Sequence, residues 1–419
     1  MRKRIDENGN NLNQCSYFFL SEKAARNLPH YQYKGEDRSL LYYYVLSPLA
    51  AFCVNRLTPR WLAPNTITLF GLAWMVAAYM VMWFYSPTLE PTDTPRWIFL
   101  FNGIAMLAYQ TLDNMDGKQS RRTGSSSPLG LLFDHGCDAI NPLFGSVNWM
   151  IAMSLDPVSD AWLCFIILFG PYALFYVGTW EEYYTGELIM PIFNGPSEGI
   201  LGGAFLSFTS YQYGPGYWLE SSWWSDWILP VLSPILPALN LDELPALRNA
   251  DVLVILSSIG FIQETFLKAL YVARTYGSRA LLNLVPFLTW IQCFLIVGVT
   301  DLNIWLDCPR LSLHLCALLF AEMTTDLMLC HVTDENFQPV RWTLAPLVLF
   351  TLLTKCGVLQ AGELSQDYLL LYASALGAYL CLKMVVVIHE LCSVLQIWCF
   401  DIVTPRGALV SSNGHAKIS

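Results

Sequence analysis

The sequence predicts an all-α membrane protein with about ten transmembrane helices. Its 419 residues are 54% hydrophobic and only 13% charged, and the mean hydropathy is +0.41, which is outside the range of ordinary soluble domains. Apolar runs of roughly the ~20 residues that a bilayer requires recur along most of the chain. Lys and Arg are unevenly distributed between the connecting loops, as expected of a polytopic protein.

The first clear span begins at Pro64, because proline suits the first turn of a helix, and it ends near Tyr85. The second begins near Trp97 and runs into a polar motif. Eight further apolar runs lie near residues 126–154, 160–180, 194–210, 251–273, 281–300, 311–331, 341–358 and 368–399. Residues 40–57 form a short apolar segment with three tyrosines near its start, a pattern that predicts an interfacial helix rather than a transmembrane helix. The polar start of the chain predicts no cleaved signal peptide.

The distribution of basic residues predicts the orientation. Nine Lys and Arg precede Pro64, whereas the loops near 155–160, 211–247 and 359–367 contain none. Basic residues favour the cytosolic side, so the polar motif after the second span is expected at the cytosolic face. The net charge of -10 argues against nucleic acid or an anionic lipid surface as the main partner.

Four aspartates stand in a region otherwise apolar enough to cross a membrane. Asp113 and Asp116 share one helical face with Gly117 and Ser120, and a second face carries Gly130, Asp134 and Asp138. Two facing helices would bring the four carboxylates together. Ionised groups at membrane depth need partners, and oxygen ligands suit hard cations, so we expect two Mg²⁺ or Mn²⁺ ions to be bound by Asp113, Asp116, Asp134 and Asp138.

The spacing of this motif resembles the signature of the CDP-alcohol phosphotransferase family. Seven fixed positions agree: Asp113, Asp116, Gly117, Arg121, Gly130, Asp134 and Asp138. Ser120 stands where the family usually has Ala, a change that keeps the side chain small.

Flanking segments resemble the eukaryotic branch of choline and ethanolamine phosphotransferases, clearly over about residues 28–200. These segments are Tyr31-x-Tyr33-x-Gly35-x-Asp37-x-Ser39, Trp61-x-x-Pro64-Asn65-x-Ile67-Thr68, Trp180-Glu181-x-Tyr183-x-Thr185 and Asn194-Gly195-Pro196-Ser197-Glu198-Gly199. Leu131 departs from that branch, which commonly has Glu at this position.

The resemblance implies transfer of phosphocholine or phosphoethanolamine from CDP-choline or CDP-ethanolamine to diacylglycerol, with release of CMP. It also implies a homodimer in the membrane of the endoplasmic reticulum or Golgi. The expected organisation is a cytosolic segment with an interfacial helix at 1–60, catalytic helices at 61–210, the remaining transmembrane helices with the lipid-substrate and dimer region at 211–400, and a cytosolic tail at 401–419.

The nucleotide and its phosphates are expected against Gly117, Gly130, Arg121 and Asn65. A guanidinium can bind phosphate oxygens bidentately, and Gly117 would let the nucleotide lie against the backbone. Asn65 and its neighbour Thr68 would supply polar contacts, although a role at the helix start is an open alternative for both.

The acceptor hydroxyl has a high pKa, so a general base is useful. His135 is the candidate because its ordinary pKa is near neutrality. The alternatives are that His135 only supports the metal-ligand network, or that Asp138 is the base.

The donor headgroup is a cation and needs a binding site. Trp180 and Glu198 are predicted to provide it, since an aromatic face and a carboxylate suit a quaternary ammonium. The alternative for Glu198 is a first-turn acid that favours the helix dipole.

Two other functions stay open at this stage. One is a phospholipid synthase of the same family that uses CDP-diacylglycerol and a soluble alcohol. The other is a cation channel or transporter with acids in its pathway. Five further ionisable residues in the spans are expected to pair internally: Glu264, Lys268, Asp326, Lys383 and Glu390.

Overall fold

The computed structural model describes residues 17–90, 93–235, 245–300 and 308–401. Over these ranges the chain is mostly helical, with thirteen α-helices and a single two-stranded sheet. The helices are α1 Glu22–Asn27, α2 Ser47–Arg56, α3 Pro64–Tyr85, α4 Arg96–Thr123, α5 Pro128–Ala152, α6 Ala161–Thr185, α7 Ile200–Tyr213, α8 Leu229–Ile235, α9 Asn249–Tyr276, α10 Val285–Leu295, α11 Pro309–Thr333, α12 Ala345–Lys355 and α13 Glu363–Leu395. The parallel strands are β1 Gly35–Asp37 and β2 Leu188–Met190.

Six helical segments are long and apolar enough to cross a membrane, which is the pattern of a polytopic membrane protein. They are Pro64–Tyr85, Ala161–Thr185, Asn249–Tyr276, Ser278–Gly298, Pro309–Thr333 and Glu363–Leu395. A helix also lies over each of the other four apolar runs: α4 and α5 carry the acidic motif, and α7 and α12 are shorter. The helices are therefore confirmed, while the count of about ten that cross the membrane stays a prediction.

The helices that carry the motif are held by packing and by buried polar contacts. α3 packs on both α4 and α5, α4 packs on α7, and α5 packs on α11. Inside the bundle the amide of Asn148 donates to Asn102 (2.7 Å), which in turn donates to Ser207 (2.8 Å). These bonds tie α5 to α4 and α4 to α7, and buried hydrogen bonds between helices favour one arrangement of the bundle.

Residues 17–39, here called the N-terminal strap, are fastened at both ends. At one end the buried carboxylate of Glu390 in α13 accepts backbone N–H groups from Phe18, Phe19 and Leu20. At the other end Asp37 accepts bonds from Asn194 and Ser197, both 3.0 Å long. The strap therefore spans the ends of several helices, and Glu390 binds backbone rather than the basic partner that was expected.

Four ionisable side chains form a cluster between α11 and α13, here called the C-terminal charge cluster. Arg341 forms ion pairs with Glu322 and Asp326 of α11, and Lys383 of α13 pairs with Asp326 and lies 3.8 Å from Glu322. Thr343 donates to Glu322 over 3.0 Å. The expected internal pairing of Asp326 and Lys383 is confirmed.

The expected pair of Glu264 and Lys268 is also present, 3.8 Å apart on α9. Lys268 makes a closer pair with Glu181 of α6, so this charge joins two helices.

Candidate active site

The turn between α4 and α5 positions the acidic motif. α4 ends at Gly124, whose φ of 68° lies in the left-handed region that glycine adopts without strain. Three residues later Ser127 caps α5 by accepting the N–H of Gly130 over 3.1 Å. Because the connection is short, the C-terminal part of α4 lies beside the start of α5, and the two predicted acidic faces meet.

Asp113, Asp116, Asp134 and Asp138, here called the aspartate cluster, are brought together as the sequence predicted. Carboxylate oxygens of Asp113, Asp134 and Asp138 lie within 4.8 Å of one another. Asp116 is buried, and it interacts electrostatically with Asp134 and Asp138. Four like charges are therefore concentrated between two helices.

Two hydroxyl groups orient this cluster. Thr68 of α3 donates a hydrogen bond to Asp116, and Tyr109 of α4 donates one to Asp138. Thr68, expected near the nucleotide or in a role at the helix start, contacts an acid of the cluster, and its nucleotide role stays a prediction. The sequence reading missed Tyr109, although it is four residues before Asp113 and is polar in an apolar run.

The donor set fits divalent cations. No Lys, Arg or His among the described residues forms an ion pair with any of the four carboxylates. Oδ1 of Asp134 is buried without a hydrogen-bond partner there. Buried acids need a compensating charge, and oxygen ligands suit Mg²⁺ and Mn²⁺. The cluster could therefore bind metal ions.

Arg121 lies in the last turn of α4 on the exposed side, and it forms no ion pair with any residue that the structure describes. A Cβ placed on Gly117 would lie 3.5 Å from a guanidinium nitrogen of Arg121. The guanidinium of Arg121 therefore lies close to the backbone of Gly117, next to the aspartate cluster.

Asn65 is the second residue of α3 and lies beside Gly130, and the nucleotide role of the two stays a prediction. Its Oδ1 is 3.7 Å from the position of a Cβ on Gly130, and its Nδ2 donates to the carbonyl of Cys399 over 2.8 Å. Asn65 makes no side-chain cap at the start of α3. The return of the chain to Cys399 over this site was not anticipated.

His135 is 8% exposed and follows Asp134 on α5. Its Nδ1 lies 3.1 Å from the carbonyl oxygen of Leu131. Because a carbonyl can only accept, Nδ1 carries the hydrogen and the lone pair is on Nε2. The neutral ring thus has the form that a general base requires, although the structure does not test the role.

Trp180 and Glu198 have contacts of a structural kind. The indole of Trp180 is fully buried and donates to the carbonyl of Ala280 over 3.2 Å. Glu198 accepts the hydroxyl of Ser39 and, over 2.9 Å, the backbone N–H of Asn194. Trp180 thus has no exposed ring face, and both oxygens of Glu198 are engaged, so their headgroup role stays a prediction.

Glu182 of α6 was overlooked, because it is the variable position in Trp180-Glu181-x-Tyr183. It is 1% exposed, and neither of its carboxylate oxygens has a hydrogen-bond partner among the described residues. Nε2 of His331 is 3.5 Å away. Burial raises the pKa of the Tyr31 hydroxyl well above its usual range, and the Glu182 charge raises it further. The signal in the sequence was an acid in the last turn of an apolar helix.

Comparisons with known proteins agree with the site. Residues 61–208 match the family described as CDP-alcohol phosphatidyltransferase. Choline/ethanolaminephosphotransferase 1 of Arabidopsis thaliana is 32% identical over 403 residues, which are 92% of this chain and 98% of the relative. An uncharacterized CDP-alcohol phosphatidyltransferase class-I family protein 3 of Dictyostelium discoideum is 30% identical, with 91% and 98% covered. Choline/ethanolaminephosphotransferase 1 of Saccharomyces cerevisiae is 40% identical over 185 residues, which are 44% of this chain and 46% of the relative.

Proposed function

The chain belongs to the CDP-alcohol phosphatidyltransferase family, and on that premise we propose that it transfers phosphocholine or phosphoethanolamine from CDP-choline or CDP-ethanolamine to diacylglycerol. The products are phosphatidylcholine or phosphatidylethanolamine and CMP. The observation that carries this proposal is the aspartate cluster, with which no basic side chain among the described residues forms an ion pair. The names of the Arabidopsis and yeast relatives support the choice of headgroup.

The four aspartates would hold two Mg²⁺ or Mn²⁺ ions. Such ions stabilise charge on the attacking and leaving oxygens of a phosphoryl transfer. Thr68 and Tyr109 keep Asp116 and Asp138 in place through their hydrogen bonds, so the carboxylates are positioned before substrate arrives.

Arg121 binds the diphosphate. Its free guanidinium beside Gly117 can donate two parallel hydrogen bonds to phosphate oxygens. Gly130 and the Oδ1 of Asn65 form the adjoining wall, which places the nucleotide between the starts of α3 and α5.

His135 removes the proton from the acceptor hydroxyl. Its Nδ1–H is held by the carbonyl of Leu131, which fixes the ring and leaves Nε2 as the acceptor. Asp138, the alternative base, already accepts the Tyr109 hydroxyl, which favours His135.

The lipid acceptor approaches along an apolar groove between α2 and α4 with a volume of about 480 Å³. Its lining includes Leu112 and Met115, which flank Asp113 and Asp116 in the sequence, and six other residues: Cys53, Leu57, Ile104, Leu107, Ala108 and Thr111. The groove lies along the same helix that carries Asp113 and Asp116, and its apolar lining suits acyl chains rather than a soluble alcohol.

The remaining features of the proposal concern the membrane. Ten helices cross it, with α4, α5, α7 and α12 added to the six long ones, and the aspartate cluster faces the cytosol. The protein forms a homodimer in the endoplasmic reticulum or Golgi. Residues 1–60 are the cytosolic segment, 61–210 the catalytic helices, 211–400 the lipid and dimer region, and 401–419 the cytosolic tail.

The decisive assay supplies purified protein with radiolabelled CDP-choline or CDP-ethanolamine, diacylglycerol and Mg²⁺ or Mn²⁺. We expect label in the lipid fraction and stoichiometric CMP. A parallel arm supplies CDP-diacylglycerol with inositol or serine, and label in that product alone would overturn the proposal. Membership of a transferase family speaks against the transporter alternative.

A further inference from the structure

Resting on the proposed function, we propose that Glu182, with Tyr31 and Tyr33 of the N-terminal strap, binds the cationic aminoalcohol end of the donor. The site lies between the C-terminal part of α6, α11 and the strap. It is separate from the Trp180 and Glu198 positions that the sequence suggested.

Glu182 has no Lys or Arg in ion-pair contact among the described residues, and the group nearest to it is His331, which is charged only when protonated. Both of its oxygens are buried and neither accepts a hydrogen bond from the residues described. Lys268 interacts with it electrostatically, but Lys268 is already ion-paired with Glu181 and Glu264. A buried ionised carboxylate that lacks a partner is unfavourable unless it takes up a proton or a cation reaches it, and the aminoalcohol group of the donor is such a cation.

The strap brings Tyr31 close to this carboxylate through His331, and it brings Tyr33 within range of the charge of Glu182. The hydroxyl of Tyr31 lies 3.2 Å from Nε2 of His331, the same nitrogen that lies 3.5 Å from Glu182. Both Tyr31 and Tyr33 interact electrostatically with Glu182. Aromatic rings around a carboxylate are a suitable environment for an ammonium group.

Tyr33 occupies its place because residue 35 is glycine. A Cβ on Gly35 would lie 2.2 Å from the Tyr33 hydroxyl and 2.5 Å from the adjoining ring carbon, so any larger residue would displace the ring. Tyr33 is 47% exposed, and it therefore presents ring surface on the outer side of the site. This contact explains the Tyr33-x-Gly35 spacing, which the catalytic cluster does not use.

Tyr33 also links this site to the site of phosphoryl transfer. It interacts electrostatically with Asp134 of the aspartate cluster and with Arg121, in addition to Glu182. A donor whose diphosphate lies at Arg121 would thus have its headgroup next to Tyr33. In choline and ethanolamine only two carbons separate the phosphate ester from the nitrogen, so the cation must bind close to the phosphate.

The test compares two donors that differ only in charge. One is CDP-choline, and the other is its neutral analogue, in which a tert-butyl group replaces the trimethylammonium. Glu182→Gln removes the charge, Tyr33→Leu removes the ring, and Glu181→Gln is the matched control on the same helix. Each variant is assayed for KM and kcat with both donors and for inhibition by CMP, which has no headgroup.

Wild type and Glu181→Gln are expected to prefer CDP-choline. Glu182→Gln should raise KM for CDP-choline about tenfold or more, the loss expected for one desolvated cation contact, while KM for the neutral donor and inhibition by CMP stay unchanged. Tyr33→Leu should also reduce the preference for CDP-choline over the neutral donor. This variant provides an independent test if Glu182→Gln folds poorly.

Equal losses with both donors would show that Glu182 is structural and would overturn the inference, as would a wild type with no preference. Either result leaves the proposed function standing. Absence of lipid product from every CDP-aminoalcohol would instead refute the proposed function.

Discussion

The helical bundle contains two clusters of four ionisable side chains, and they differ in the balance of their charges. In the C-terminal charge cluster two acids, Glu322 and Asp326, face two bases. In the aspartate cluster all four groups are acids, and no base pairs with them in the part of the chain that the structure describes. The balanced cluster can be complete by itself, whereas the unbalanced one could bind metal ions, which would supply the positive charge. Charge balance thus distinguishes a structural cluster from a ligand site.

The largest expected effect is on the unbalanced cluster. Asp113→Asn, Asp116→Asn, Asp134→Asn and Asp138→Asn should each abolish turnover, because each removes a ligand for the positive charge. Wild-type activity should vanish in chelator and return with Mg²⁺ or Mn²⁺, measured as label transferred to lipid. Full activity in excess EDTA would contradict the claim that the aspartate cluster works with bound metal ions.

The next effect concerns His135, which lies next to the aspartate cluster in the sequence and is expected to transfer a proton rather than to bind metal. His135→Ala should lower kcat by roughly 10² to 10⁴, the range for loss of a general base, while CMP inhibition is retained. A near-normal kcat would assign the base to Asp138. Variants in the C-terminal charge cluster should show no comparable decrease in kcat when activity is expressed per folded molecule.

Breaking the balanced cluster should affect stability. Lys383→Met leaves part of the negative charge of Glu322 and Asp326 uncompensated, and removal of one partner from a buried pair costs about 3–5 kcal/mol. The midpoint of thermal unfolding in detergent should fall clearly. Lys383→Met combined with Asp326→Asn should recover much of the loss, and a single variant as stable as wild type would argue against this role.

A smaller effect is expected from the hydroxyl groups that orient the acids. Thr68→Val and Tyr109→Phe should weaken metal activation by roughly 10 to 100-fold, as found for groups that hold metal ligands. A titration of activity against Mg²⁺ should show that high metal concentration restores most of the rate. If saturating metal gave no recovery, the hydroxyls would have another function.

The smallest expected effect is on thermal stability, and it is opposite to the decrease that a mutation usually causes. In chelator, Asp134→Asn should unfold at the same temperature as wild type or a few degrees higher, because it removes one of four like charges. The neutral Asp134→Ala variant serves as the control for lost side-chain contacts. A clear decrease for Asp134→Asn would mean that the acid has an internal partner.

The features predicted correctly from the sequence are those encoded locally. Helical periodicity placed Asp113 on one face and Asp134 and Asp138 on another, and the short turn at Gly124 brought those faces together. The long apolar runs predicted their helices for the same reason.

The features that escaped prediction depend on contacts between distant segments. Glu182 lies beside His331, and the amide of Asn65 binds the carbonyl of Cys399, 334 residues away. No local pattern encodes such contacts. The bond from the indole of Trp180 to the carbonyl of Ala280, 100 residues further along the chain, is of the same kind.

The attachment of the N-terminal strap to Glu390 has a consequence for biogenesis. The bonds from Phe18, Phe19 and Leu20 join residues about 370 positions apart, so they cannot form until the ribosome has produced nearly the whole chain. The helices with the acidic motif emerge much earlier. A nascent or truncated chain that lacks α13 would therefore insert the helices of the acidic motif without a fastened strap, and assembly of the proposed headgroup site would wait for the last stage of synthesis.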